Sequence, residues 1–74
     1  MLKQVVEIIS EELLINKKDL TATTRLKEDL NVDSLDVVEL VMDLEAMFNV
    51  RISDEEAASI KTIEDIVKLV ESYQ

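Results

Sequence analysis

No cysteine, histidine, tryptophan, glycine or proline occurs among the 74 residues of this chain. Without cysteine and histidine, the chain can form no disulfide, no thiolate or imidazole zinc site and no serine–histidine relay. We therefore expect no catalytic residue and no bound metal, and we predict that the protein is not an enzyme. Because glycine and proline are absent, helix ends must be predicted from periodicity and from capping residues.

Long hydrophobic runs are also missing. No apolar run is long enough to cross a membrane, and the amino-terminal residues lack the basic flank and apolar core of a secretory signal. We expect a cytoplasmic monomer with no membrane insertion. Hydrophobic residues make up 47% of the chain, which is too much for the usual disordered composition. The sequence therefore predicts one folded domain over residues 1–74.

Basic residues are few, and the net charge of -9 is unevenly distributed. Residues 28–56 contain ten of the 17 acids and a single base, Arg51, whereas acids and bases balance in the rest of the chain. This asymmetry favours basic protein partners and argues against nucleic acid, whose phosphates the acidic segment would repel. Charge alone leaves open the alternative of an acidic face that only maintains solubility.

Apolar periodicity predicts a first helix over about residues 2–15. Its apolar face consists of Leu2, Val5, Val6, Ile9 and Leu13. Residues 16–33 are mostly polar, and we predict a long loop there, of a length that is often functional. Its apolar anchors are Leu20, Leu26, Leu30 and Val32.

Capping residues predict three further helices. Asp33 or Ser34 can be the N-cap of a second helix over about residues 34–49. Ser53 and the three acids after it have the S-x-x-E form of a capping box, which predicts a short third helix that ends near Ser59.

Thr62 can cap the last helix. The apolar face of that helix consists of Ile63, Ile66, Val67, Val70 and Tyr73. The predicted fold class is therefore all-α: a small four-helix bundle with a long loop between helices 1 and 2 and a short helix 3.

The second predicted helix has two apolar faces. The face predicted to lie in the core consists of Val37, Leu40, Val41, Leu44 and Phe48. The opposite face consists of Leu35, Val38, Met42 and Ala46, with Asp36, Glu39, Asp43 and Glu45 beside or within it. An exposed apolar strip bordered by acids is typical of a docking surface. The alternative is a central helix that is buried on both sides.

A tripeptide with an extended context begins at Asp33. The run D-S-L at 33–35 continues as D-V-V-E-L-V-M-D-L-E, and Phe48, Ile52, D-E-E-A at 54–57 and Ile60 follow. The tripeptide alone is a weak signal, but the extended run resembles the acyl carrier protein family, and the similarity covers most of the chain. In that family the serine of D-S-L carries 4'-phosphopantetheine, so the resemblance implies attachment at Ser34. On spacing alone, Ser34 could instead be a plain N-cap.

The resemblance implies that the chain carries a growing fatty acyl chain as a thioester on 4'-phosphopantetheine at Ser34 and delivers it to the enzymes of fatty acid synthesis. The arm would come from coenzyme A through a phosphopantetheinyl transferase (holo-ACP synthase), with Asp33 helping to position Mg²⁺ in that complex. The unpaired N–H groups at a helix N-terminus would favour the resulting phosphodiester.

The resemblance also implies roles for the two faces of the second helix. Basic surfaces of ketoacyl synthases, reductases, dehydratase and acyltransferases would contact Leu35, Asp36, Val38, Glu39, Met42, Asp43 and Glu45. The pocket for the acyl chain would be lined by Val41, Leu44, Ile52, Ala57, Ile60 and Leu69. These six residues could also be ordinary core.

The chain departs from the family pattern at several positions. Asn31 stands where glycine is common, and asparagine tolerates the left-handed backbone that such a turn requires, so we predict that the turn is kept. Ser53 replaces a common proline, while Ala46 and Met47 occupy positions that are often acidic.

Two alternatives remain for the function. The cargo could be a polyketide intermediate, an amino acid such as D-alanine, or a specialised lipid. A hypothesis of another class is an acidic interaction or cation-buffering module that needs no arm, and it predicts that Ser34→Ala keeps full function.

Overall fold

The computed structural model describes residues 1–74 and confirms the predicted all-α fold with a long first connection and a short third helix. Its helices are Leu2–Leu13 (α1), Ser34–Phe48 (α2), Asp54–Ser59 (α3) and Ile63–Ser72 (α4). One 3₁₀ turn, Lys17–Asp19, lies within the connection between α1 and α2 and was not predicted. None of the helices combines the length and the apolar composition needed to cross a bilayer.

Asparagine and leucine residues end the two longest helices. Leu14 and Asn49 follow α1 and α2 with φ values of 56° and 54°, in the left-handed region. Asparagine is among the residues that adopt this conformation most readily, whereas it is costly for leucine. The two helices therefore end one or two residues earlier than predicted.

Three of the four helices begin with a complete capping box. Ser53 with Glu56 opens α3, as predicted. Asp33 is the N-cap of α2 and pairs with Asp36, and an equivalent box opens α4. Sequence analysis missed these two boxes because the residue three positions after the N-cap is aspartate, whereas the usual signature has glutamate or glutamine at that position.

Twelve buried aliphatic residues form the core. They come from α1, α2, α4 and the connecting segments: Val5, Ile8, Ile9, Leu20, Leu26, Val32, Leu40, Leu44, Ile52, Ile63, Ile66 and Val70. No residue of α3 is fully buried. The short helix therefore lies against a core that the other elements complete.

The long loop is fixed to the start of α4. Of its predicted anchors, Leu20, Leu26 and Val32 are buried and Leu30 is half-buried. The N–H of Leu26 donates to the carbonyl of Lys61 at 2.9 Å. Since backbone bonds and buried side chains both restrain it, the loop holds the residues before α2 in a defined place.

Two residues predicted on apolar helix faces are exposed instead. Leu2 lies in the first turn of α1, at the edge of the core. Tyr73 follows the end of α4, and its hydroxyl donates a hydrogen bond to Glu56 of α3. This bond lowers the pKa of Glu56. The tyrosine thus connects the end of the chain to α3, because its polar hydroxyl needs a partner outside the core.

Candidate functional site

The amino terminus of α2 presents Ser34 to solvent. Ser34 is the first residue of the helix and is exposed. Asp33 Oδ1 accepts a hydrogen bond from the N–H of Asp36 at 3.0 Å, and Asp36 Oδ2 accepts one from the N–H of Asp33 at 3.2 Å. Asp33 therefore caps the helix, so the alternative that Ser34 is the N-cap is wrong.

The hydroxyl of Ser34 differs from those of the other four serines. The hydroxyls of Ser10, Ser59 and Ser72 each donate to a backbone carbonyl, and Ser53 Oγ accepts a bond from the N–H of Glu56. The Ser34 hydroxyl makes no hydrogen bond within the chain. It is therefore the one serine hydroxyl that a modification could occupy without breaking an existing bond.

Unpaired backbone N–H groups lie at the same end of α2 as this hydroxyl. The N–H groups of Ser34 and Leu35 have no acceptor within the chain. Such groups, together with the helix dipole, make the start of a helix favourable for an anion. The chemistry of the position therefore suits a phosphate ester on Ser34.

The turn before α2 fixes the position of the serine. Asn31 has φ of 55°, as predicted for a residue that stands in place of glycine. Its N–H donates to the carbonyl of Lys27, and the N–H of buried Val32 donates to the carbonyl of Leu26, both at 3.1 Å. Ser34 is thus held two residues beyond a buried anchor.

Two adjoining clefts separate the amino-terminal half of α2 from α3. The first, of about 350 Å³, is lined by Lys27, Ser34, Val37, Val38, Asp54, Ala57, Ala58 and Ile60. The second, of about 210 Å³, is lined by Val37, Val38, Val41, Met42, Glu45, Ile52, Asp54 and Ala57. The clefts share four residues and lead from Ser34 along the helix.

Of the six residues predicted to line an acyl pocket, four line these clefts and two do not. Ala57 and Ile60 line the first cleft, and Val41, Ile52 and Ala57 line the second. Leu44 and Leu69 line neither cleft. Leu44 lies in the closed core with 1% exposure, while Leu69 is half-buried on α4.

The outer face of α2 carries the predicted apolar strip. Leu35, Val38 and Met42 are 75%, 54% and 61% exposed, respectively. Leu40 and Leu44, on the opposite side, are buried. The alternative of a helix buried on both sides is therefore wrong, and the strip faces solvent with acids beside it.

The four predicted partner-contact acids differ in their surroundings. Glu39 is exposed, whereas Asp36, Asp43 and Glu45 are half-buried. Asp36 belongs to the capping box, and Glu45 Oε2 accepts a hydrogen bond from the N–H of Ile52 at 2.8 Å. Glu45 thus also stabilises the loop after α2, a role for which the sequence contains no local signal.

A carboxylate cluster that sequence analysis missed lies between α1 and α2. Hydrogen bonding with Asp43, and then with Glu39, raises the pKa of Glu12 to about 7. The half-buried Glu12 comes from another helix, so no spacing in the sequence relates it to this face. The structure contains no group of three or more acids, histidines or cysteines placed to hold a metal ion.

Lys27 is a second residue that sequence analysis missed. It lines the same cleft as Ser34. The sequence placed it just outside the acidic segment, among bases that balance acids elsewhere. The contact arises from the turn at Asn31, which brings the loop back alongside α2.

Comparison with known protein families shows one match over nearly the whole chain. Residues 3–70 match the family described as a phosphopantetheine attachment site. An acyl carrier protein from Wolinella succinogenes is 47% identical over 66 residues, which are 89% of this chain and 87% of the relative. An acyl carrier protein from Helicobacter hepaticus is 46% identical over 70 residues, or 95% and 92% of the two chains.

Solved structures give the same result for the fold. A provisionally named acyl carrier protein from Mycobacterium tuberculosis superposes with a TM-score of 0.91 at 30% identity. The superposition covers 99% of this chain and 97% of that protein. The similarity thus includes the long loop and the short α3 as well as the three longer helices.

Proposed function

This chain belongs to the acyl carrier protein family, and we propose that it carries acyl groups on a 4'-phosphopantetheine arm attached to the Ser34 hydroxyl. The single observation that supports this position best is that Ser34 has the only serine hydroxyl without a hydrogen bond in the chain. We further propose that residues 1–74 act as one monomeric carrier domain in the cytoplasm, and that the chain is a cosubstrate of enzymes without being an enzyme.

The residues around Ser34 fit a phosphate-linked arm. The N–H groups of Ser34 and Leu35 are free at this end of α2, and the cleft beside Ser34 gives the arm an apolar wall. The arm would supply a terminal thiol on which the cargo is held as a thioester. The chain has no histidine to remove the proton of the Ser34 hydroxyl. The transferase must therefore supply the base.

Asp33 has a suitable place for a role in loading. Its Oδ1 atom is occupied by the N–H of Asp36, but its Oδ2 atom accepts no hydrogen bond. We propose that this free oxygen helps to position Mg²⁺ when the phosphopantetheinyl transferase binds. The cap and the metal contact would then use different oxygens of one carboxylate.

The outer face of α2 is the proposed docking surface for the enzymes that use the cargo. The exposed strip of Leu35, Val38 and Met42 would contribute apolar contact, and Glu39 beside it would attract basic residues. Asp36, Asp43 and Glu45 add negative charge to the same helix. Basic surfaces of a transferase, ketoacyl synthases, reductases, dehydratase and acyltransferases would suit this face.

The clefts between α2 and α3 are the proposed shelter for the start of the acyl chain. Ala57 and Ile60 of the α3 region form one wall, and Val41 and Ile52 extend it away from Ser34. Because α3 contributes no fully buried residue, it can move outward without opening the core. Leu44 and Leu69 would come into contact only with cargo that penetrates between the longer helices.

Loading the purified chain with coenzyme A and a promiscuous phosphopantetheinyl transferase tests the proposal. Intact mass spectrometry should show the addition of one phosphopantetheine. The addition should disappear in Ser34→Ala and persist in Ser59→Ala, a matched change of another exposed serine. A folded chain that stays unmodified would contradict the proposal and favour an interaction module that needs no arm.

A further inference from the structure

Two lysines adjoin the cleft that starts at Ser34. Lys27 lines this cleft together with Ser34. A neighbouring cleft of about 230 Å³ is lined by Lys27, Glu28, Ala58, Ile60 and Lys61. Because Lys27, Ala58 and Ile60 line both clefts, the two clefts adjoin, and Lys61 lies next to the cleft that contains Ser34.

Backbone contacts fix the two lysines beside each other. The N–H of Leu26 donates to the carbonyl of Lys61 at 2.9 Å, and an antiparallel bridge joins Arg25 to Thr62. The carbonyl of Lys27 accepts the N–H of Asn31 in the turn before α2. The relative position of the two lysine backbones therefore does not depend on their side chains.

Neither lysine forms an ion pair, although the chain carries a net charge of -9. The four ion pairs use Lys17, Arg25 and Lys68 as their bases. Glu28 adjoins Lys27 in the sequence, yet its carboxylate lies 3.9 Å from the guanidinium of Arg25. Both lysine side chains are exposed, so their ammonium groups are free to bind an anion.

An anion on Ser34 would enter surroundings that are otherwise negative. Asp33 and Asp36 flank the serine, and Asp54 lies across the first cleft. A phosphodiester there would add one more negative charge to three carboxylates. A cation within reach of the same cleft would offset that repulsion, since opposite charges attract.

We propose that Lys27, with Lys61 beside it, forms a cation site that binds the phosphate of the arm on Ser34. The proposal rests on the proposed attachment at Ser34. Bound in this way, the phosphate turns the first part of the arm toward the cleft between α2 and α3 and away from the exposed strip of α2. The site thereby favours the sheltered position of the cargo between visits to enzymes.

The two lysines would suit any small oxyanion. Besides the phosphate of the arm, this could be the carboxylate at the far end of an acidic acyl group. The arm phosphate is the better match because it is bonded to Ser34, whose cleft already contains Lys27. A carboxylate at the end of the arm would have to fold back over its whole length.

Comparison of amide NMR spectra before and after loading tests the cation site. Loading should shift the signals of Lys27, Ala58, Ile60 and Lys61 in the parent chain. These shifts should be lost in the double variant Lys27→Gln/Lys61→Gln. They should persist in Lys3→Gln/Lys18→Gln, which removes the same charge from two exposed lysines that line no cleft with Ser34.

Three loaded forms identify the source of the anion. If the phosphate is bound, the shifts at Lys27 and Lys61 occur equally with the free thiol, with an acetyl thioester and with a malonyl thioester. Shifts at the lysines that occur only with the malonyl form would assign the site to the cargo carboxylate and overturn the phosphate proposal. The single variant Lys61→Gln should give a partial loss in the free-thiol form.

Mass spectrometry of the same samples separates the two proposals. A parent chain that takes the arm but shows no shift at the lysines overturns the cation site and leaves the attachment at Ser34 intact. A folded parent chain that takes no arm overturns both. Equal shifts in the parent and in Lys27→Gln/Lys61→Gln also overturn the cation site, because the arm then lies in the cleft without the lysines.

Discussion

The carboxyl of Glu12 faces Asp43 and Glu39 across the interface of α1 and α2. A proton on Glu12 allows it to donate a hydrogen bond to Asp43, and this interaction raises the pKa of Glu12 from 4.5 to about 7. The pocket at this interface also contains Glu11 and no base. Ionisation of Glu12 therefore places two or more carboxylates together without a compensating charge.

This contact predicts that stability falls as the pH rises through 7. The folded chain binds a proton at Glu12 that the unfolded chain releases above pH 4.5. Its stabilising contribution is therefore complete below that value and is lost as the pH approaches and passes about 7. The melting temperature of the parent chain should decrease between pH 6 and pH 8.

Glu12→Gln should remove most of that decrease, because the amide keeps an N–H donor for Asp43 at every pH. Glu71→Gln removes the same charge from an exposed residue of α4 that lines no pocket with Glu12, and it should keep the parent's pH dependence. Thermal melting in buffers of equal ionic strength measures both. If Glu12→Gln lost stability as steeply as the parent between pH 6 and pH 8, Glu12 would not be the group that causes the pH dependence.

Substitution of Glu39 tests the proposed docking face of α2 kinetically. It is exposed beside Val38 on the outer side of α2. Glu39→Lys should lower the association rate with a ketoacyl synthase on the order of tenfold at low salt, because steering by opposite charges acts mainly on encounter. Stopped-flow binding at several salt concentrations measures the effect.

A change of equal charge on another helix controls for the net charge. Glu71→Lys alters an exposed residue of α4, away from the apolar strip, and should change the association rate little. Equal effects of the two substitutions would show that overall charge controls the encounter and that the outer face of α2 has no special part.

Removal of the capping box should affect stability differently in α3 and in α4. α4 contributes Ile63, Ile66 and Val70 to the core, whereas α3 contributes no buried residue. Loss of an N-cap hydroxyl costs about 1 kcal/mol in either helix. Thr62→Ala should therefore lower the free energy of global unfolding by about 1 kcal/mol.

Ser53→Ala should act mainly on α3 itself. Hydrogen exchange should accelerate in the amides of α3, while the exchange of core amides in α1 and α4 changes much less. Amide exchange followed by NMR distinguishes the two variants. Equal loss of protection throughout the chain in Ser53→Ala would mean that α3 unfolds only together with the core.

The helices could be predicted from sequence because their signals are local. Apolar spacing and the residues Asp33, Ser53 and Thr62 located all four amino termini, and Asn31 located the left-handed turn before Ser34. The 3₁₀ turn was missed because three residues contain too few repeats to form a pattern. Tyr73 was misplaced because periodicity cannot show that a helix ends one residue earlier.

The contacts that refine the site could not be predicted in this way. Glu12 meets Asp43 from another helix, and Lys27 reaches the cleft of Ser34 only because the loop folds back at Asn31. The two members of each pair lie in different elements of the fold, so no periodic pattern in the sequence relates them. Only the assembled fold shows that the pKa of Glu12 is raised to about 7 and that two lysines without ion pairs adjoin the cleft of Ser34.

At the scale of the whole molecule, charge opposes the compact state. Ten acids and one base lie within residues 28–56, and only four ion pairs form in the chain, all between exposed side chains. Such pairs contribute little to stability. The aliphatic core must therefore hold together a surface that repels itself.

Screening should stabilise the protein. Added sodium chloride, or millimolar magnesium chloride, should raise the melting temperature because both weaken the repulsion among the acids. Calorimetry in the two salts measures it, and melting that is insensitive to both would contradict the acidic clustering described above.

We propose that Ser34 carries the arm, and mapping of the modified peptide tests this claim. The measurement is tandem mass spectrometry of peptides from the chain after loading with coenzyme A and a phosphopantetheinyl transferase. The phosphopantetheine should be found on the peptide that contains Ser34 and on no other serine, and an acyltransferase should then extend that same peptide by one acyl group. Modification at another serine, or none on a folded chain, would contradict the claim.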